Sequence, residues 1–337
     1  MKKSVVLGLS GGVDSAVTAK QLLEAGFEVH PLWLDIGLGG GEDAASVAAS
    51  LGLRLERADI RGALEQSVCV PFASDYLSGR TPLPCAHCNR LVKFPALVSL
   101  ADGVGAQFVA TGHYARCEDG LLKKGKSAND QSYMLARLPK EILQRVIFPL
   151  CDYEKAQVRA LARSYGLPVA EKRDSMEICF IPDNDYGAWL ERRGKMPPPG
   201  DFVDAAGTVL GRHKGIHHYT LGQRRGLGIS AESRLFVSAI KPEANQVVLS
   251  TGEDLFYSRV VCSDLNWLSD APLEKPIPVS VRLRHTKTES AATLSPCDTG
   301  VMLELEKPAR APTPGQLAVF YRDDLVLGSA WIENSFQ

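Results

Sequence analysis

Hydrophobic positions along this chain follow two rhythms, and the change between them comes near residue 195. In the first part, short apolar runs alternate with stretches of helical period. Residues 5–7 form an apolar run. A helix is expected over about 15–25, with Ala16, Val17, Ala19, Leu22 and Leu23 as its apolar face and Gly26 as its stop. Residues 27–34 read as a second strand, 42–51 as a second helix ended by Gly52, and 53–58 as a third strand. Helices around 63–76, 89–101 and 153–165 and a strand at 108–111 continue the series. A β-α-β-α order predicts a doubly wound α/β domain, its parallel sheet covered on both faces. Ligands then bind at the carboxyl ends of the strands.

Pro197-Pro198-Pro199-Gly200 is a stiff joint at which this rhythm stops. Beyond it the period becomes two. Val279, Val281 and Leu283 alternate with Ser280, Arg282 and Arg284, and Val301, Leu303 and Leu305 with Met302, Glu304 and Glu306. Apolar runs at 317–321 and 325–332 flank an Arg322-Asp323-Asp324 turn. The expected organisation is an α/β domain over 1–195, a small central β-rich domain over 196–255 and a C-terminal antiparallel β-barrel over 256–337.

Composition narrows the function classes. With 38 basic and 39 acidic residues the chain is not a polycation, although a local basic face is enough to hold a nucleic acid. The start, Met1-Lys2-Lys3 and then an apolar run at 5–9, is too short for a signal peptide, and Asp14 follows with no cleavage site. No run approaches the about 20 apolar residues of a membrane span. A cytoplasmic protein is expected, in which the eight cysteines are not structural disulfides. Cys69, Cys117, Cys151, Cys262 and Cys297 stand singly and read as small apolar packers.

Ser10-Gly11-Gly12-Val13-Asp14-Ser15 carries the first chemistry. Between a strand and a helix, such a turn aims backbone N–H groups and the positive end of a helix dipole at one spot, which suits phosphate. Gly11 and Gly12 let the backbone approach the anion, and Ser10 and Ser15 add hydroxyls. Asp14 would repel a phosphate, so Mg²⁺ or a ligand hydroxyl is its expected partner. Residues 120–127 fit the Walker A pattern by letter. Ala128-Asn129-Asp130-Gln131 then signals a turn where that motif needs a helix, so a hairpin is expected there.

Cys85 and Cys88 lie in a proline-rich loop, 81–88, that leads to a helix. Cys88 is expected at or just before the helix N-terminus, which lowers a thiol pKa, with His87 and Arg90 acting in the same sense. No second cysteine pair completes a zinc site. Cys179 is expected on a short apolar segment. Between Asp204 and Glu232 lies a stretch with no acidic residue. Arg212, His213, Lys214, His217, His218, Arg224 and Arg225 with Tyr219 and many glycines suggest phosphate-backbone contact there. The spacing of His213, His217 and His218 could hold a metal, but no carboxylate or thiolate stands nearby in sequence, so none is expected.

Taken together these strings resemble the tRNA-specific 2-thiouridylases nearly end to end. The resemblance is carried by Ser10–Ser15, Gly79-Arg80-Thr81-Pro82, Cys88-Asn89 and Lys93-Phe94, then by 110–114, 130–133 and Asp174-Ser175 with 178–181, and finally by 219–224 and 313–316. It implies an ATP-pyrophosphatase domain that adenylates uracil O2 of the anticodon wobble uridine, so that AMP leaves when sulfur attacks C2. ATP, with Mg²⁺, would be held by Gly8, Leu9, Ser10, Gly11, Gly12, Val13, Asp14 and Ser15, with Leu34 near adenine and Gly112 near the nucleotide. By the same resemblance Cys179 carries a persulfide supplied by an upstream donor, such as a cysteine desulfurase or sulfur relay protein. Cys88 is then the second catalytic thiol, which resolves or releases the sulfur. Leu83, Pro84, Cys85, His113, Asn129, Asp130, Gln131, Arg284, His285 and Gln316 fall where the family touches tRNA.

The chain departs from that pattern at Leu83-Pro84-Cys85, where many members have Asn-Pro-Asp, at a shorter 34–51 segment, and at Asn129, where lysine is common. Cys85 supplies a third thiol, so Cys85, Cys88 and Cys179 could instead ligate three irons of a 4Fe–4S cluster and give the same product. Other readings are an ATP-dependent amidating ligase, which leaves Cys88 and Cys179 without a role, and a non-catalytic tRNA-binding protein.

Overall fold

The computed structural model describes residues 3–173, 178–286 and 288–337. Contacts divide the chain into two compact units, one from 1–68, 85–180 and 323–326, the other from 69–84, 181–322 and 327–337.

The first unit is built on a parallel sheet in the order Glu56–Asp59, Glu28–Asp35, Ser4–Gly8, Phe108–Ala110, Val146–Ile147. Val5, Val6 and Leu7 are all fully buried, which is why that strand reads as an unbroken apolar run and not as an alternation. Helix Val13–Glu24 lays Ala16, Val17, Ala19 and Leu22 on one face of the sheet. Val158 and Ala162 of helix Lys155–Ser164 join the same core. Phe94, Leu97 and Ala101 of helix Phe94–Val104 cover the other face. Strand order reverses beside Ser4–Gly8, whose two neighbours are Glu28–Asp35 and Phe108–Ala110. The carboxyl ends of Ser4–Gly8 and Phe108–Ala110 therefore bound the crevice where open α/β sheets bind ligands.

One expected helix is less regular than its periodicity suggests. The turn Pro84–Cys88 is already helical and runs through a π segment, Asn89–Lys93, into Phe94–Val104. Pro95 has no N–H to offer the carbonyl four residues back, so the ladder loosens in the preceding turn. The 63–76 stretch breaks in the same way, with a π segment at Glu65–Cys69 ahead of Pro71.

In the second unit a small mixed sheet runs Phe236–Lys241, Gln246–Ser250, Gly200–Val203, Val209–His213. Phe202, Ile216, Tyr219, Val237 and Leu249 form its core. Six antiparallel strands follow, in the order Phe256–Trp267, Gly300–Arg310, Ser290–Cys297, Ile277–Arg282, Leu317–Arg322, Leu325–Phe336. Pairing of the first with the last closes a barrel. Val279, Val281, Val301, Leu303 and Leu305, the alternating positions, point into it and are buried. Among the described residues, no helix is long and apolar enough to cross a membrane.

The basic stretch is only partly a surface. His213, His217 and Tyr219 are buried, and His213 accepts from the Gly200 and Gly215 N–H groups at 3.3 and 3.0 Å. Arg212, Lys214, Arg224 and Arg225 remain exposed. Of the basic stretch expected to contact phosphate, these four side chains are the fully exposed ones, because glycine-rich sequence here builds core as well as surface. The Walker-like string is a hairpin, Ala115–Glu118 with Leu121–Lys124, and the next helix begins only at Ser132.

Candidate functional site

The glycine-rich turn begins where strand Ser4–Gly8 ends and opens helix Val13–Glu24. Gly11 sits at φ +73°, and a Cβ there would lie 2.7 Å from the Ala44 backbone nitrogen. No other residue fits. Gly12 differs: its φ is −92°, and only the Ser10 hydroxyl, at 3.4 Å, is near its absent side chain, so what it contributes is open space at the helix N-terminus. The buried Ser15 hydroxyl accepts from Ser10 N–H at 3.2 Å, donates to Gly12 C=O at 3.0 Å and lies 3.0 Å from Ser10 Oγ. Both serines thus hold the turn's shape. Gly11→Ala is expected to weaken ATP binding at least about tenfold with the fold retained by circular dichroism, because the turn must open to admit the methyl group.

Asp14 does not stand alone. Lys155 Nζ donates to both its oxygens, at 2.8 and 2.7 Å, and the Tyr114 hydroxyl donates to Oδ1 at 2.7 Å. The partner expected from sequence was a metal or ligand hydroxyl; the structure supplies a lysine from a distant helix. Lys172 donates to the Gly11 carbonyl at 3.2 Å and pairs with Asp43. Two ammonium groups therefore border the turn, each paired with a carboxylate, so the side chains balance in charge and the N-terminus of helix Val13–Glu24 supplies the attraction for an anion.

Across the crevice, a Cβ on Gly112 would lie 2.9 Å from both the Asp14 carbonyl carbon and the Ser15 nitrogen. This close approach packs the segment after strand Phe108–Ala110 against the turn. Next to it, His113 Nδ1 is 2.7 Å from Thr111 Oγ1, and its ring stacks on Phe94. Desolvation first and the Lys93 charge second hold His113 well below its usual pKa, so the ring is neutral. Leu34 lies half-buried near the end of strand Glu28–Asp35. The adjoining Asp35, buried, accepts from Arg57 and from Gly37 N–H at 2.8 Å. The Arg57 hydrogen bond is the main cause that lowers its pKa.

The thiols form a second group in this unit. Cys85, Cys88 and Cys179 are all free, and Cys85 and Cys179 reach the surface. Desolvation of the sulfur, then Cys88 and Cys85, push the Cys179 thiol up to about 11, against the pull of Lys93. Desolvation also raises Cys85, with Lys93 opposing and Cys88 assisting. One lysine thus acts on His113, Cys85 and Cys179 together. Cys88 does not sit at the helix N-terminus expected for it: the helical run starts at Pro84, so Cys88 closes its first turn and borders the π segment. Cys179 lies in a turn and not on a regular segment, while Asp174 and Ser175, part of the family-like string, fall outside the described residues.

Several residues expected to touch tRNA are used by the scaffold. Asp130 accepts from Gly125 N–H at 2.9 Å and from the Ser132 N–H and hydroxyl at 3.1 and 2.9 Å. Gln131 Oε1 accepts from Tyr114 N–H at 3.0 Å. Asn129 is exposed. In the second unit Leu83 and Pro84 are buried, and Gln316 donates to the Thr81 and Pro82 carbonyls at 2.9 and 3.2 Å. Arg284 donates to Leu221 C=O at 3.0 Å and Ala311 C=O at 2.6 Å, whereas His285 is exposed. Sequence reasoning did not single out Lys93, Tyr114, Lys155 or Lys172 as site residues. Lys93 and Tyr114 lay inside recognised strings. Nothing local marks Lys155 or Lys172, whose partners are 141 and 161 residues away.

Family models match in sequence: a tRNA methyl transferase HUP domain over 3–183, a tRNA methyl transferase PRC-barrel domain over 188–251 and an aminomethyltransferase beta-barrel domain over 258–332. The chain is 44% identical to tRNA-specific 2-thiouridylase MnmA 1 of Caldanaerobacter subterraneus subsp. tengcongensis, covering 98% of this chain and 97% of that protein. The chain belongs to the tRNA-specific 2-thiouridylase family. A second 2-thiouridylase, MnmA of Clostridium perfringens, is 41% identical over 99% of both chains. Among solved structures, a 4-thiouridine synthetase–RNA complex with bound ATP matches at 18% identity and TM-score 0.37, over 57% of this chain and 50% of that one. The resemblance of motifs to the 2-thiouridylases is thus matched by similarity along the whole chain.

Proposed function

We propose that this chain carries out ATP-dependent 2-thiolation of the wobble uridine in tRNA anticodons. The observation that carries the reading is the linkage within one unit of a cation-bordered phosphate turn, through Gly112 and His113, to Lys93 and the Cys85–Cys88–Cys179 group. ATP is bound by residues 8–15, with Leu34 and Gly112 at the nucleotide. Uracil O2 attacks the α-phosphorus and pyrophosphate departs. The terminal sulfur of a Cys179 persulfide then attacks C2 and expels AMP. Cys88 thiolate attacks Cys179 Sγ, the S–S bond breaks toward the base, and 2-thiouridine leaves with a Cys88–Cys179 disulfide behind it. A thiol reductant resets the pair, and a persulfide donor such as a cysteine desulfurase or sulfur relay protein reloads it. Mg²⁺ would belong to this reading by neutralising charge on the departing pyrophosphate, with Asp14 the carboxylate at the turn that would help to hold it beside Lys155 and Tyr114.

The work divides over 1–195 for adenylation and thiolation, 196–255 for tRNA contact and 256–337 as the barrel, in the cytoplasm. The residues assigned to tRNA contact are Cys85, His113 and Asn129–Gln131 in the first unit and Leu83, Pro84, Arg284, His285 and Gln316 in the second. Asp130, Gln131, Arg284 and Gln316 serve mainly by fixing loop shape. The test is reconstitution with ATP, tRNA and a persulfide donor: 2-thiouridine, AMP and pyrophosphate in equal amounts are expected. ATP turnover that needs ammonia and ignores tRNA would establish the amidating ligase instead.

A second route to the same product would use Cys85, Cys88 and Cys179, all free thiols of this unit, as ligands to a 4Fe–4S cluster, which would supply an open iron for sulfide. Cys85→Ser separates the two. On the persulfide route the variant keeps activity within about threefold. Loss of iron from anaerobically prepared protein together with loss of activity would establish the cluster.

A further inference from the structure

The second unit holds a group of potential metal ligands that thiolation does not use. The expectation that the histidine run lacks a carboxylate fails in three dimensions, because helix Tyr186–Glu191 brings Glu191 to it. Glu191 Oε1 lies 3.3 Å from His218 Nε2 and 3.9 Å from His217 Nε2, and one donor atom from each of the three residues falls within 4.8 Å of the others. His217 is 1% exposed, and neither of its ring nitrogens has a hydrogen-bond partner. A buried imidazole left unsatisfied on both sides is costly and calls for a ligand. The rings are seated closely: a Cβ on Gly187 would lie 2.6 Å from the His218 ring, and one on Gly215 would lie 2.5 Å from His217 Cε1.

We propose that Glu191, His217 and His218 bind a divalent transition-metal ion of the zinc class, with a fourth position open to water or an exogenous ligand. Donor atoms about 2.0–2.1 Å from a tetrahedral zinc stand about 3.3 Å apart, so the observed separations need only small side-chain adjustments. Two imidazoles and a carboxylate favour zinc over magnesium or calcium, which prefer oxygen donors. The ion takes up the lone pair of a His217 ring nitrogen that has no hydrogen-bond partner.

The test must separate this site from the thiols. Metal-free full-length chain carrying C85S, C88S and C179S is titrated with Zn²⁺, and with Co²⁺ for its visible spectrum. One equivalent is expected to bind, with a Co²⁺ spectrum that lacks sulfur-to-metal charge transfer. Glu191→Gln and His218→Gln, both at side chains that reach solvent, should each weaken it by more than about 100-fold with the fold unchanged. His217→Gln should do the same, but as a buried position it counts only where circular dichroism matches the parent. Binding weaker than about 100 μM, or equal binding by the parent and the E191Q/H218Q double variant, overturns the proposal and leaves the cluster as a histidine–carboxylate ion pair.

Discussion

Replacing Cys179 by serine is expected to lower 2-thiouridine formation by more than about 1,000-fold while leaving tRNA-dependent ATP–pyrophosphate exchange within about threefold. A serine hydroxyl cannot carry a persulfide, yet it changes neither the glycine turn nor the groups around Asp14. Cys88→Ser should fail differently. Sulfur still reaches C2, but the bond to Cys179 is not cleaved, so a covalent protein–tRNA adduct accumulates and excess dithiothreitol releases thiolated product. If both variants retained full activity, neither thiol would take part. The pH dependence follows from the Cys179 thiol at about 11, raised by desolvation and then by the neighbouring thiols. Below that value the thiolate fraction grows about tenfold per pH unit, so alkylation of Cys179, followed by peptide mass spectrometry, should rise about tenfold per unit from pH 7 to 9. A plateau by pH 8 would mean that Lys93 outweighs desolvation.

Much of this was legible from periodicity. The Val5–Leu7 run, the helix after the glycine turn and the alternating Val279–Val281 and Val301–Leu303–Leu305 positions all lie as their patterns require, because burial of one face is what those patterns encode. Helix interruptions at Asn89–Lys93 were not legible. A π segment leaves the apolar spacing nearly intact, and Pro95 only hints at it. The phosphate turn could be read because strand, glycine turn and helix are contiguous. Its electrostatics could not, since the groups that set them, Lys155 and Lys172, are joined to it only by the fold. Glu191 beside His217 and His218 is the same case: the histidines are visible as a string, and the carboxylate that gives them chemistry is not.

The Asp14–Lys155 pair yields the second large effect. A triphosphate approaching the turn meets the Asp14 carboxylate, and Lys155, at 2.7 Å from it, cancels that charge. Two unit charges about 4 Å apart interact by about 4 kcal/mol at an effective dielectric of 20 and by about 1 kcal/mol in water. Their side chains are 30% and 20% exposed, which places this pair between the two limits. Lys155→Met should therefore raise the KM for ATP roughly 10- to 100-fold, at about 1.4 kcal/mol per factor of ten, and steepen its salt dependence. The variant Asp14→Asn/Lys155→Met decides what the lysine does. If Lys155 acts by neutralising Asp14, removing the carboxylate as well restores most of the lost affinity, and the double-mutant coupling is large. If instead Lys155 leaves Asp14 to grip a phosphate directly, the double variant binds ATP no better than Lys155→Met alone. Isothermal titration with a non-hydrolysable ATP analogue distinguishes the two outcomes, because it reads binding without the sulfur steps.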